Sequence, residues 1–217
     1  MPSISRQESV FVIDLGVTEN VLSPEWIRRL NEHLDIVDQE VGNCALVVKA
    51  SGKHWSTGLD LPWVMANLDQ LDSYMRSVHH LFRRFLTAPY HTIAAIQGHC
   101  YAAGAMLALA HDFRFMRADR GFFCLPEVDL KIPFDDGMTA LIKEKLPAQV
   151  LIRAMTSGHR FGGAEAESVG IVDSASTEDA LLTDAIDFAH LMAPKAGETL
   201  AAIKTAIYRN VIDKLSE

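Results

Sequence analysis

SVFVIDLG, residues 9–16, is an apolar stretch that alternates enough with polar positions to be a strand, and it stops at a glycine. The period then changes. In LSPEWIRRLNEHLDIVDQEVG, Trp26, Leu30, Leu34, Val37 and Val41 fall on one helical face. Ser23 can cap this helix, Pro24 suits its first position, and Gly42 can end it. CALVVKASG follows as a short apolar run of the kind buried on both faces of a sheet. Strand, helix and strand in this order predict a parallel βαβ unit.

The pattern repeats downstream. HWSTGLDLPW is a loop of small and polar residues, and a long helix is expected after it. Met65, Leu68, Leu71, Met75, Val78, Phe82 and Phe85 recur at helical spacing, and Pro89 closes the run. HTIAAIQG predicts another buried strand, AGAMLALAHD another helix, and FRFMRA and FFCLPE two further strands. Beyond IPFDDG the chain turns mainly helical, with helices expected over 137–146, 148–156, 163–169, 178–192 and 196–214 and a strand at GIVDS. No linker or charge block divides it. The expectation is one α/β domain over 1–217, with a core over about 1–137 and a mainly helical part over about 138–217.

Composition narrows the function classes. The 217 residues are 49% apolar and 22% charged, the balance of an ordinary globule. A net charge of −8 argues against a general nucleic-acid binder. It leaves room for an anionic small ligand held by local cations or backbone N–H groups. Cys44, Cys100 and Cys124 are widely spaced in apolar runs, and they are expected as reduced, buried thiols. No apolar run approaches a membrane span, the first residues lack a signal core, and the chain closes on VIDKLSE rather than Ser-Lys-Leu. A cytoplasmic location is expected, with no metal, nucleic-acid or membrane partner.

Two loops and one carboxylate carry the candidate chemistry. SGKHWSTGLDL follows one buried strand and QGHCYAAGAM follows another, and ligands of α/β proteins sit beyond such strand ends. Both loops are rich in small residues, which suits either close helix–strand packing or a pair of outward N–H groups forming an oxyanion hole. Neither ends in the Gly-Lys-Ser/Thr of a phosphate-binding loop. In FFCLPEVDLKIPFDDG, Glu127 ends an apolar run. It is either a solvated loop residue or a desolvated general base with a raised pKa. None of the nine histidines has convincing ligand spacing, and Cys100 is expected to serve packing.

Taken together, these stretches resemble the crotonase superfamily, the enoyl-CoA hydratase/isomerase family. HWSTGLDL is similar to the family's Phe-(Ala/Ser)-x-Gly-x-Asp-(Leu/Ile) loop. IAAIQGHCYAAGAMLALAHDFRF, FFCLPEVDLKI and AMTSGHRFGGAEAESVGIVD resemble its three later segments, in the right order, from about residue 9 to 215. The resemblance implies a crotonase-like α/β fold, a core of repeated ββα turns with a helical C-terminal trimerisation region. It implies a homotrimer or dimer of trimers, acyl-CoA thioester substrates, fatty-acid metabolism, and no separate cofactor. It places the two oxyanion N–H groups on Ser56 and Ala103, with Ala103 where the family usually has glycine, and lays Ser56, Thr57, Gly58 and Leu59 along the bound CoA. Lys53 is a candidate phosphate contact or a surface lysine.

Hydratases of this family hold water between two glutamates. Glu127 matches one of them, but Met106 stands where the other would be. The resemblance is therefore closest to Δ3,Δ2-enoyl-CoA isomerases with a single catalytic glutamate, here Glu127. The alternatives are a hydratase or other crotonase-type reaction, with Asp129, Asp135 or Asp136 as second carboxylate, and a non-catalytic acyl-CoA-binding protein. Leu61, Trp63, Phe134 and Met138 are candidates for lining the acyl pocket.

Overall fold

The computed structural model describes residues 1–216. A strand that the hydropathy pattern does not announce, β1 (Ser3–Gln7), pairs antiparallel with β2 (Val10–Asp14). Helix α1 (Pro24–Asp38) then crosses to β3 (Ala45–Lys49), which lies parallel to β2 and completes the expected βαβ unit. Ser23 caps α1 by accepting from the Trp26 N–H. The helix stops at Gln39 rather than reaching Gly42, and Val41, expected on its buried face, is fully exposed.

Next come β4 (His54–Ser56), α2 (Leu61–Ala66), a single 3-10 turn, and α3 (Leu71–Thr87). The long helix expected from Met65 onward is thus broken near Asn67, whose extended φ of −137° ends α2, and Met65 and Leu68 are exposed. Leu71 is exposed as well, and beyond it the predicted stripe holds, with Val78, Phe82 and Phe85 buried. The chain continues through β5 (His91–Ile96), β6 (His99–Tyr101), α4 (Ala103–Ala110), β7 (Phe113–Arg117), β8 (Phe123–Cys124), α5 (Glu127–Leu130), α6 (Asp136–Lys145), α7 (Ala148–Ser157) and α8 (Gly163–Ser168). It closes with β9 (Ser174–Ser176), four residues beyond the start of the expected GIVDS strand, then α9 (Glu178–Met192), α10 (Glu198–Ile207) and α11 (Arg209–Lys214). The helix expected over 196–214 is two helices that meet at Tyr208.

The strands form two sheets. The larger runs β1-β2-β3-β5-β7-β9, parallel except at β1, and the smaller is the parallel trio β4-β6-β8. From β3 to β8 each turn contributes one strand to each sheet and then a helix, the repeated ββα expected of the chain. Alternate side chains of the large sheet enter different cores. Phe11, Ile13, Leu46, Val48, Ala94 and Ile96 join the main core, while Val10, Val12, Ala45, Val47, Ile93 and Ala95 pack beneath Leu181, Ala185 and Ala189 of α9. Burial on both faces explains why these strands read as continuous apolar runs.

A buried polar cluster ties the C-terminal helices to this body. Lys204 of α10 is 3% exposed, and its Nζ donates to Asp112 (2.8 Å) and to the carbonyls of Phe85 and Tyr90. Asp112 also accepts from the Thr92 N–H and hydroxyl. Lys145 bridges the His111 carbonyl and the Tyr208 hydroxyl. Removing one partner of a buried pair strands the other charge. Lys204→Met should therefore lower stability by about 3 kcal/mol in equilibrium urea unfolding, far beyond the loss from an exposed pair such as Arg28–Glu32.

Candidate active site

The small sheet brings the candidate residues together. Its strands are parallel neighbours, with Ser56 opposite Cys100 and Tyr101 opposite Cys124. Their carboxyl ends therefore lie side by side. The chain leaves β4 at Ser56, leaves β6 into Ala102 and Ala103, and leaves β8 into Leu125, Pro126 and Glu127. The Ala102 N–H donates to the Cys124 carbonyl at 3.0 Å, which fixes the second and third exits against each other.

The first two exits interlock through glycine. A Cβ on Gly104 would stand 2.6 Å from the Ser56 carbonyl oxygen and 2.7 Å from its Cβ and Oγ. A Cβ on Gly58 would stand 2.8 Å from the Ala103 nitrogen, and Gly58 itself has a φ of +94°. Each expected donor residue thus packs against the other loop's glycine, at separations no side chain permits. Ala102 adds strain. Its φ of 51° and ψ of −130° suit glycine, and such a conformation costs about 1–3 kcal/mol in a residue with a Cβ. It turns the chain into α4 so that Ala103 is the first helical residue, whose N–H has no acceptor in a preceding turn. Ser56 and Ala103 are both buried.

The rest of the first loop is held from behind. The Thr57 N–H donates to the Glu19 carbonyl, the Gly58 N–H to the Ser56 hydroxyl, and the Gly58 carbonyl accepts from the Leu22 N–H. Thr57 and Leu59 are half-buried. Asp60 caps α2 at the Trp63 N–H, so the loop runs directly into a helix start. Asn20, which no motif singles out, is 2% exposed and bonded to this loop through both its side chain and its carbonyl.

Glu127 opens α5 and is 7% exposed. Its Oε2 is shielded from solvent and has no hydrogen-bond partner. Burial pushes its pKa up to about 7, with its own backbone N–H pulling less strongly the other way. Met106, on the first turn of α4, is 1% exposed. The three nearby aspartates turn elsewhere. Asp135 caps α6 at the Met138 N–H and pairs with His79, Asp129 lies against Gly158, and Asp136 is exposed. Of the expected pocket residues, Met138 is buried, Trp63 and Phe134 are half-buried against the core, and Leu61 is exposed. Lys53 is exposed at a cleft of about 380 Å³ shared with Lys49, Arg117, Arg120 and Glu178, which includes none of Ser56, Ala103 and Glu127. All three cysteines are buried and unpaired, and burial raises the Cys100 thiol pKa well above its ordinary value. Among the described residues no group of histidine, cysteine or acidic side chains is placed to hold a metal, and no helix is long and apolar enough to cross a membrane.

The model of the enoyl-CoA hydratase/isomerase family matches residues 5–217. The chain belongs to that family. As a member of the enoyl-CoA hydratase/isomerase family it is an enzyme, and the crotonase-like fold expected from its motifs is the fold it has. It is 31% identical over 221 residues to the peroxisomal enoyl-CoA delta isomerase 2 of Arabidopsis thaliana, a match covering 96% of this chain and 92% of that one. Identity to enoyl-CoA delta isomerase 3 of the same plant is also 31%, with the same coverage. A Mycobacterium tuberculosis protein, described in one crystal structure as a probable enoyl-CoA hydratase, superposes with a TM-score of 0.92 at 24% identity, covering 99% of this chain and 91% of its own. That last likeness concerns the fold.

The position of Glu127 has a stability consequence in this family member. Folding raises its pKa from 4.5 to about 7, so the native state resists ionisation. The wild type is relieved of this cost below pH 4.5 and bears it in full above pH 7. Glu127→Gln never ionises. It should match the wild type in urea unfolding at pH 4 and exceed it at pH 8 by up to about 3 kcal/mol.

Proposed function

We propose that this enzyme moves the double bond of a 3-enoyl-CoA into conjugation, giving the trans-2-enoyl-CoA. The observation that carries the proposal is the solitary state of Glu127, a buried carboxylate with an unpartnered oxygen and a pKa near 7. The similarity to two plant enoyl-CoA delta isomerases supports it. Ser56 and Ala103 direct their backbone N–H groups at the thioester oxygen, and Ser56, Thr57, Gly58 and Leu59 line the path of the CoA.

In this reaction ionised Glu127 removes a proton from C2. The C–H electron pair moves toward the carbonyl and leaves a dienolate whose oxygen is held by the two N–H groups. Protonated Glu127 then gives the proton to C4, and the double bond settles between C2 and C3. Bonds and charges balance without water, metal or any cofactor beyond the CoA of the substrate. Hydration requires a second group to activate water. Met106 cannot do so, and Asp135 is committed to capping α6 and pairing with His79.

We further propose that the enzyme works in the cytoplasm as a homotrimer or dimer of trimers. Exposed Leu191, Ile203 and Ile207 on α9 and α10 supply apolar surface for such assembly.

The decisive comparison is 3-enoyl-CoA isomerisation against hydration of crotonyl-CoA by the same preparation. Isomerisation should dominate, and kcat/KM should rise with pH to a plateau with its midpoint near 7 as Glu127 ionises. Glu127→Gln should lose roughly a thousandfold or more in kcat while binding acyl-CoA within a few fold of the wild type. Dominant hydration would establish the hydratase alternative. Tight binding without turnover of either substrate would establish a binding protein.

A further inference from the structure

Asn20 lies between β2 and α1 with a φ of 49°, the left-handed region that asparagine tolerates better than most residues with a side chain. Its amide is fully engaged. Nδ2 donates to the carbonyls of Trp55 (3.1 Å), His54 (3.4 Å) and Gly16 (3.4 Å), and Oδ1 accepts from the Thr18 hydroxyl. Turned by half a rotation, the amide would set its oxygen against three carbonyl oxygens, so the partners dictate its orientation. The main chain of Asn20 contributes as well, its carbonyl accepting from the Ser56 hydroxyl at 2.8 Å.

The Trp55 carbonyl and the Ser56 N–H are opposite ends of one rigid peptide plane. A donor fixed on the carbonyl end sets the tilt of the N–H end. It also withdraws electron density from the peptide and strengthens the N–H as a donor. We infer that Asn20 is a positioning residue for the oxyanion hole, aiming and polarising the Trp55–Ser56 peptide while its carbonyl holds the Ser56 side chain. It touches no reacting atom and acts through that peptide. This inference rests on the acyl-CoA reading of the site.

Two variants separate this role from folding. Asn20→Gly keeps the left-handed φ without strain and keeps the main-chain carbonyl, so it removes only the amide. Asn20→Asp keeps the shape and sets a carboxylate against the Trp55 and His54 carbonyls. The probe is hexanoyl-CoA labelled with carbon-13 at C1, a saturated thioester that cannot isomerise, bound to the full-length enzyme well below its unfolding temperature. In the wild type the infrared band of the labelled carbonyl should move to lower frequency on binding. In both variants it should return most of the way toward the free value. With 3-enoyl-CoA, kcat should fall roughly tenfold with KM within about threefold, and the midpoint of the pH profile should stay in place because Glu127 is untouched. A variant with a lowered Tm but the wild-type band and kcat would make Asn20 a residue of folding alone and overturn the inference. A wild-type enzyme that binds hexanoyl-CoA without moving the band, or does not bind it, would overturn the acyl-CoA reading itself.

Discussion

The site depends on two side chains that are not there. Gly104 gives its missing Cβ to the Ser56 residue, and Gly58 gives its own to the Ala103 nitrogen. Because the two contacts are reciprocal, neither loop can move away without opening the other. They also dictate what surrounds them. Helix α4 must press directly on β4, and every one of its eight residues is buried, so alanine and leucine fill it on all sides. The strained Ala102 is tolerable in that setting because the helix, the Cys124 carbonyl and the Gly58 loop all fix it.

Charge is handled in two opposite ways within this one molecule. Asp112 is about as buried as Glu127, yet its pKa is drawn down to about 2. Burial opposes that shift, and His91 nearby at 3.7 Å, the ammonium of Lys204 and the hydrogen bond from Thr92 overcome it. Glu127 draws on no cation and no side-chain donor, so burial outweighs the pull of its own backbone N–H and sends the pKa upward. The difference separates structure from chemistry. A carboxylate surrounded by donors is stable and inert, whereas one left without partners is costly to ionise and ready to exchange a proton near neutral pH.

Much of this was legible in the chain, and the failures have definite causes. Strands β2, β3 and β5 and helices α1 and α9 follow from periodicity because each buries a face long enough to show it. Of the small sheet only β8 falls in an expected strand, FFCLPE. Strands β4 and β6 are three residues long, so their loops carry the signal instead, as small residues in STG and AAG. The expected long helix failed because Met65, in α2, and Leu68, on the 3-10 turn, fit the apolar spacing while exposed, and spacing cannot distinguish a buried leucine from an exposed one. Lys204 and Asp112 are ordinary charged residues in sequence, 92 positions apart, and their pairing is a product of topology. Asn20 was missed for the same reason. Its importance lies in partners at positions 54 to 56, and the one local signal, an Asn placed just before a helix cap, suits any turn.

Met106 connects the packing to the proposed chemistry. At 1% exposure it is a core residue on the helix whose first N–H is the expected oxyanion donor, so apolar volume approaches the reacting carbonyl from that side. An apolar wall suits the proposed proton shuttle. In the proposed reaction it excludes water that would otherwise add to the activated double bond, and it offers no group that could activate that water. The proton on Glu127 then has few alternatives. Its largest influence is burial, no neighbouring carboxylate shares the charge, and its Oε2 has no partner to relay through. In the proposed reaction such a base returns the proton to the substrate at C4, to which the charge has spread, and that return completes the isomerisation.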